Sequence, residues 1–196
     1  MKKSSEKIEA LIRHEILNAM TNLRFLVEGN EPFSPQTRAD FLDTLAWASF
    51  LVAQPEGFLG LTPPVLLAPT SLQDLLEIVL LLQPQVQQKK LSGQSFVKED
   101  LVLTDKNRSK EILSALLRFV LEKSDQVEWS LKKNRFTMLH HQGVLLLPHQ
   151  NPTEVLSHSK MSDFERFLSC LLYQAPSVHL SIVSKKDLLE VNFKSS

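Results

Sequence analysis

The stretch Arg13-His14-Glu15-Ile16-Leu17-Asn18-Ala19-Met20-Thr21 places an imidazole directly before a carboxylate, with an amide and a hydroxyl following at helical spacing. A neutral imidazole is a nucleophile near neutral pH, and a neighbouring carboxylate can orient its ring or take up its proton. The chemistry this suggests is covalent acceptance of an electrophilic group at His14. Asn18 lies one helical turn on and Thr21 two turns on, so both share the histidine's side of a helix. The helix itself is read from Ile8, Leu11, Ile12, Ile16, Met20, Leu23, Leu26 and Val27, which gather into one apolar face at about 100° per residue. His14 falls almost opposite the centre of that face, which predicts that it and its polar neighbours, Glu15 included, sit on a wet surface. On this helix alone an inert surface histidine has the same signature.

The elements that must position this segment follow in order. Ser34-Pro35 announces a second helix, a side-chain cap with proline at the first helical position, running to about Gln54. Phe41, Leu42, Leu45, Trp47, Phe50, Leu51 and Val52 make it apolar almost all round, more than one partner helix can cover. Residues 55–70 hold Pro55, Gly57, Gly60, Pro63, Pro64 and Pro69 and read as a linker. Ser71 caps a third helix that Leu72, Leu75, Leu76, Val79, Leu80 and Leu82 carry to about Gln88. A strand is predicted over 96–103, and a helix capped by Asp105 runs from about Arg108 to Lys123. Strands follow over 126–131, 136–140 and 144–147. Ser162-Asp163-Phe164-Glu165 is a capping box opening a helix to about Tyr173, and 178–183 with 188–193 suit a terminal hairpin across Lys185-Lys186.

His14-Glu15-Ile16-Leu17-Asn18-Ala19-Met20-Thr21 resembles the H-box of sensor histidine kinases, and Ser71-Leu72-Gln73-Asp74-Leu75-Leu76-Glu77 resembles the opening of their ATP-binding domain. The order of elements behind it follows the same core along nearly the whole chain. Leu17 and Ala19 depart from the H-box; the family's proline kinks the helix, so Ala19 implies a straighter one. The resemblance implies an α+β chain: an N-terminal antiparallel helical hairpin forming a dimeric four-helix bundle, and a C-terminal α/β sandwich like a kinase ATPase domain. The expected divisions are a dimerisation and phosphoacceptor hairpin over 1–56, a linker over 57–70 and the ATP-binding-like domain over 71–196.

That domain is expected to be degenerate. Glu111 to Val120 lines up with the family's asparagine-bearing helix, but Ala115 and Phe119 stand where the magnesium-holding asparagines would be. His141-Gln142-Gly143 takes the place of the Asp-x-Gly that contacts adenine, and a protonated ring nitrogen cannot accept as a carboxylate does. Gly143 is the last of five glycines, so no Gly-x-Gly phosphate loop follows it. The lost features are chemical while the apolar framework persists, which predicts a retained fold without its nucleotide chemistry.

With 196 residues, 43% hydrophobic and 22% charged, the chain can bury a sizeable core. A net charge of zero and no basic run longer than Lys132-Lys133 or Lys185-Lys186 argue against nucleic acid as a partner. No signal peptide is read at the start, and the longest apolar run, Ile78 to Leu82, is far shorter than the ~20 residues of a membrane span; a soluble, cytoplasmic protein is expected. Cys170 is the single cysteine and reads as a buried, inert thiol. His140, His141, His149 and His158 match no metal-ligand spacing, and no metal is expected.

The function these readings predict is histidine phosphotransfer in a two-component phosphorelay, as a homodimer whose partners are response-regulator receiver domains. His14 would be the nucleophile and Glu15 would orient or deprotonate it. Arg13 would offset phosphate charge, while Asn18, Thr21 and Phe25 would meet the partner or position a water. No cofactor is expected on this chain, magnesium belonging to the receiver. The alternative is a non-catalytic pseudokinase that binds response regulators or a true kinase. An ATP-dependent kinase with an unusual pocket is a third reading.

Overall fold

The computed structural model describes residues 2–28, 34–54, 58, 65–81, 83, 90–95, 101–148, 151–156 and 160–194. They form α1 (Lys2–Glu28), α2 (Pro35–Ala53), β1 (Ala68–Ser71), α3 (Leu72–Leu81), β2 (Leu91–Ser95), β3 (Leu101–Thr104), α4 (Lys106–Lys123), β4 (Val127–Lys132), β5 (Arg135–Val144), α5 (Pro152–Val155), α6 (Asp163–Gln174), a 3-10 turn (Ala175–Val178) and β6 (Leu180–Phe193). The α+β class read from the sequence is the one observed. Among the described residues, no helix is long and apolar enough to cross a membrane.

The chain clusters into two compact units, Met1–Pro64 with Pro148–Tyr173, and Val65–Leu147 with Gln174–Ser196. This division differs from a single C-terminal domain over 71–196, because α5 and most of α6 gather with the hairpin. The reason is the apolar load on α2. Phe50 meets Phe167 of α6 edge to face at 5.6 Å and packs beside Trp47 at 6.2 Å, while Phe58 closes on both rings at 6.0 and 6.2 Å. Trp47, Phe50, Leu51 and Phe58 are buried as a result. Ser34 caps α2 by accepting from the Thr37 amide at 3.0 Å. The capping box at α6 is formed, Ser162 Oγ accepting from Glu165 N at 3.2 Å while the Ser162 amide donates to the Glu165 carboxylate at 2.9 Å.

The second unit holds a four-stranded sheet in the order β2-β4-β5-β6, with β2 parallel to β4 and the other pairs antiparallel. Alternation along β4, β5 and β6 buries Val127, Leu131, Phe136, Met138, Leu189, Val191 and Phe193, and α4 packs on both β5 and α3 with Ile112, Leu113, Leu116, Leu117 and Val120 buried. Asp105 caps α4 with one carboxylate oxygen, 3.1 Å from the amides of Asn107 and Arg108, and accepts from the Leu66 amide with the other.

Several sequence-predicted elements differ. Ala68–Ser71, which spans the end of the predicted linker and the Ser71 cap, is a strand paired antiparallel with β3. Of the strand predicted over 96–103, residues 96–100 lie outside the described residues; Leu101–Thr104 form β3, and Leu91–Ser95 add β2. The third helix is described to Leu81, and positions 82 and 84–88 of its predicted extent also lie outside the described residues. The strand predicted over 136–140 runs on as β5 to Val144, while 145–147, predicted as part of a further strand, lie outside it; β5 is irregular where Leu139 pairs with Leu188 but Val144 with Lys186. There β5 uses more residues than β6 over the same span, and His141 and Gly143 take φ of 55° and 73° to absorb the excess. No terminal hairpin forms: β6 runs unbroken from Leu180 to Phe193 and pairs with β5 from Lys186 to Asn192. The two lysines supply none of the positive-φ pairing a tight turn needs, and Asp187 alone, at φ 60°, bends the strand without reversing it.

Two local features have measurable consequences. Gly93 of β2 is in register with Trp129, where an added Cβ would lie 2.1 Å from the Trp129 carbonyl oxygen and 2.6 Å from its indole. Gly93→Ala is expected to cost about 1–3 kcal/mol, read as a lower urea midpoint at unchanged slope. His140 is buried; its Nδ1 accepts from the Gln142 amide at 3.2 Å and its Nε2 has no hydrogen-bond partner. Burial holds the ring's pKa below the usual histidine value, with His141 adding to that effect and the Asp187 carboxylate opposing it. The unfolded chain then takes the proton first, so stability is full above the ordinary value of about 6.5 and is lost as pH falls below it. Melting temperature against pH is expected to fall on that side, and to fall less in His140→Gln.

Candidate functional site

The first unit carries the cluster around His14. The His14 side chain is 69% exposed on α1. Asn18, Thr21 and Phe25 follow it on one exposed stripe, as helical spacing requires, and Phe25 is 70% exposed. Arg13 is exposed on the flank of that stripe. The Asn18 amide lies 3.1 Å from His14 Nδ1. Thr21 donates its hydroxyl to the Leu17 carbonyl at 2.8 Å, a bond inside the helix that leaves the oxygen's lone pairs for a further partner.

Glu15 departs from its expected place. It is not on the wet surface but buried, and its Oε2 accepts from Arg166 Nη1 of α6. Its other oxygen, Oε1, stays 3.7 Å from His14 Nδ1. The buried line of α1 therefore runs Ile12, Glu15, Ala19, while Met20 and Val27, read as part of the apolar face, are 57% and 60% exposed. The cause is the position of α6. Asp163, Arg166 and Phe167 occupy one face of it at spacing i, i+3, i+4. Asp163 accepts from Thr44 of α2 at 2.8 Å, Arg166 reaches Glu15 of α1, and Phe167 meets Phe50 of α2.

A polar cleft of about 270 Å³ opens beside His14, lined by Glu15, Asn18, Thr21 and Asn22 of α1, Trp47 of α2, and Asp163 and Arg166 of α6. Sequence reasoning did not name Arg166, and read Asp163 only as part of a capping box and Trp47 only as apolar surface of the second helix. The signal for the first two was available in their helical spacing with Phe167, but nothing local says which helix they face. Cys170, on the same helix, is fully buried, and burial pushes its thiol up to about 12, which leaves it a protonated, unreactive group.

In the second unit, the positions that the family resemblance gives to metal-holding asparagines are filled by core. Ala115 and Phe119 of α4 are 6% and 5% exposed. A methyl and a phenyl offer a magnesium ion no oxygen, so these positions do not fit a magnesium nucleotide. At the place of the adenine-reading loop, the Gly143 amide donates to Asp187 Oδ1 at 2.6 Å, which turns that amide toward β6. Among the described residues, no group of three or more histidine, cysteine or acidic side chains gathers as a metal site.

No protein-family model matches the chain, and no curated protein matches it. Solved structures do. The Acinetobacter baumannii histidine kinase AdeS superposes over 94% of this chain and 96% of its own, with a TM-score of 0.54 at 14% identity. The cytoplasmic segment of histidine kinase QseC matches over 86% of this chain and 98% of its own at a TM-score of 0.49 and 14% identity. A histidine kinase from Burkholderia phymatum matches over 94% and 98% at 0.43 and 13%. At such identities the likeness concerns the fold, and on the AdeS superposition, over nearly its whole length, this chain has a histidine-kinase-like core.

Proposed function

We propose that this chain is a histidine phosphotransferase of a two-component phosphorelay, working in the cytoplasm and passing phosphoryl groups between response-regulator receiver aspartates through His14. The observation that carries this reading is the exposed imidazole with the Asn18 amide 3.1 Å from Nδ1. As placed, Asn18 Nδ2 faces Nδ1; phosphoryl transfer uses the tautomer with the proton on Nδ1, on the side of Glu15 Oε1, so that the nucleophilic lone pair sits on Nε2. Nε2 attacks the phosphorus of a receiver aspartyl phosphate. The N–P bond forms, the bond from phosphorus to the carboxylate oxygen breaks, and the electron pair leaves with the aspartate. The charge this puts on the ring is met by Glu15, whose Oε1 faces Nδ1, and relieved when the Nδ1 proton passes to that oxygen or to water. Reversal onto a second receiver regenerates His14. Asn18, Thr21 and Phe25 are the partner's footing, and Arg13 offsets phosphate charge from the flank. The chain holds no nucleotide or metal of its own in this reading, and magnesium belongs to the receiver's acidic pocket. Ala115 and Phe119 support a protein rather than ATP as the phosphoryl donor.

The working form is a homodimer. Leu17, Met20 and Val27 of α1 and Leu42, Leu45 and Val52 of α2 are 42–65% exposed, at spacings that make one apolar stripe on each helix. A second copy of the hairpin supplies the cover that a four-helix bundle provides. The alternative, a non-catalytic pseudokinase that captures response regulators or a true kinase, is favoured by one observation: Glu15 is already engaged by Arg166.

Two measurements test this. Incubation with a phosphorylated receiver is expected to give acid-labile, base-stable label on the wild type and none on His14→Ala; an unlabelled wild type overturns the phosphotransferase reading. In light scattering after gel filtration, the wild type is expected at twice the chain mass and Leu45→Glu/Val52→Glu at the monomer mass.

A further inference from the structure

We infer that Arg166 is a positioning residue of the phosphotransfer site, so that α6, distant in sequence, sets how Glu15 serves His14. This rests on the phosphotransferase reading above and adds a residue to it. Four observations carry it. The guanidinium takes Oε2 of Glu15 and leaves Oε1 facing His14 Nδ1 at 3.7 Å. Both side chains are largely withdrawn from water, 13% and 11% exposed. The backbone that presents Arg166 is pinned on either side, by Asp163 to Thr44 at 2.8 Å and by Phe167 to Phe50 at 5.6 Å. The pair lines the cleft that also takes in Asn18 and Thr21, so it borders the surface a receiver must meet.

Stability alone is a weak reason for such a pair. Two charges taken out of water recover little net energy from each other, and apolar residues of similar volume do as well or better in that place. What an arginine does that an apolar residue cannot is hold one carboxylate oxygen by a charge-assisted hydrogen bond, here Nη1 to Oε2, and so restrict where the other oxygen lies. A carboxylate on a freely turning side chain meets the imidazole only part of the time. One held at Oε2 keeps its other oxygen on the Nδ1 side throughout the transfer. As Nε2 takes the phosphoryl group and the aspartate leaves with its electron pair, the ring becomes cationic and its Nδ1 proton moves toward Oε1, directly after a small approach or through one water in the cleft. Arg166 touches neither phosphorus nor imidazole and acts only through Glu15.

The test is a double-mutant cycle on the full-length dimer. Phosphoryl acceptance from a phosphorylated receiver is expected to fall about 10- to 100-fold in Arg166→Met, as misplacement of a catalytic group does. Arg166→Lys, which keeps the charge, is expected to recover most of the rate. In a Glu15→Gln background, adding Arg166→Met is expected to cause no further loss. Losses that multiply instead, or an Arg166→Met rate equal to wild type, overturn the inference. A second readout stands apart from activity: the 15N chemical shifts of the His14 ring report its tautomer, and are expected to change in Arg166→Met and to return in Arg166→Lys. If wild type takes no label, the phosphotransferase reading fails; the ring shifts then decide the positioning role by themselves, and shifts identical in wild type and Arg166→Met overturn it. Where Arg166→Met does not fold, the Lys variant decides by the same two measurements: wild-type rate and ring shifts support the role, and a loss in either overturns it.

Discussion

A helix that is apolar on every side cannot stay single. Trp47, Ala48, Phe50 and Leu51 of α2 are buried, yet α1 covers only one side of it, so the hairpin must draw in a further element. That element is α6, and its arrival fixes most of what matters about the site. Phe167 settles on Phe50, Asp163 on Thr44, and the geometry of a helix then leaves Arg166 pointing at α1, where Glu15 lies. The residue next to His14 is thereby turned inward by a packing demand that originates on another helix. The apolar surface that remains, Leu42, Leu45 and Val52, is what a second copy would cover in the dimer proposed above.

The two units carry the features of a histidine-kinase-like fold unequally. In the second, the sheet and α4 keep their apolar layers, and the same layers extend into positions where a nucleotide-binding domain would present oxygens: Ala115 and Phe119 pack with Leu116 and Val120 instead of opening to a ligand. In the first, His14 and the residues one, two and three turns along are exposed. Framework and chemistry are separable because a core asks only for volume and hydrophobicity, whereas a site asks for particular atoms at particular places.

Much of this was legible in the residues themselves. The caps at Ser34, Ser71, Asp105 and Ser162 were read from local rules and are formed, because a side chain three positions from an amide needs no help from the rest of the chain. The exposure of His14, Asn18 and Thr21 was also readable, since it depends on one helix. What failed were features decided by a distant partner. The direction of Glu15 depends on Arg166; β1 sits among prolines and exists because β3 pairs with it; β6 does not turn back at Lys185 and Lys186 because from Lys186 onward it pairs with β5. Periodicity also misjudged Met20 and Val27, as a hydrophobic face says that burial is wanted without saying who provides it.

The first unit is discontinuous: its hairpin is complete at Ala53, while the helix that covers it begins only at Asp163. On the ribosome the hairpin therefore emerges several seconds before its cover at ordinary elongation speeds, with Trp47 and Phe50 open to solvent in the interval. Closing it requires contacts between residues far apart along the chain, which slows folding relative to a plain helical bundle. In the dimer proposed above, the nascent chain would have a nearer remedy in pairing with a neighbouring nascent hairpin, so that assembly of two copies on one message would precede the completion of either.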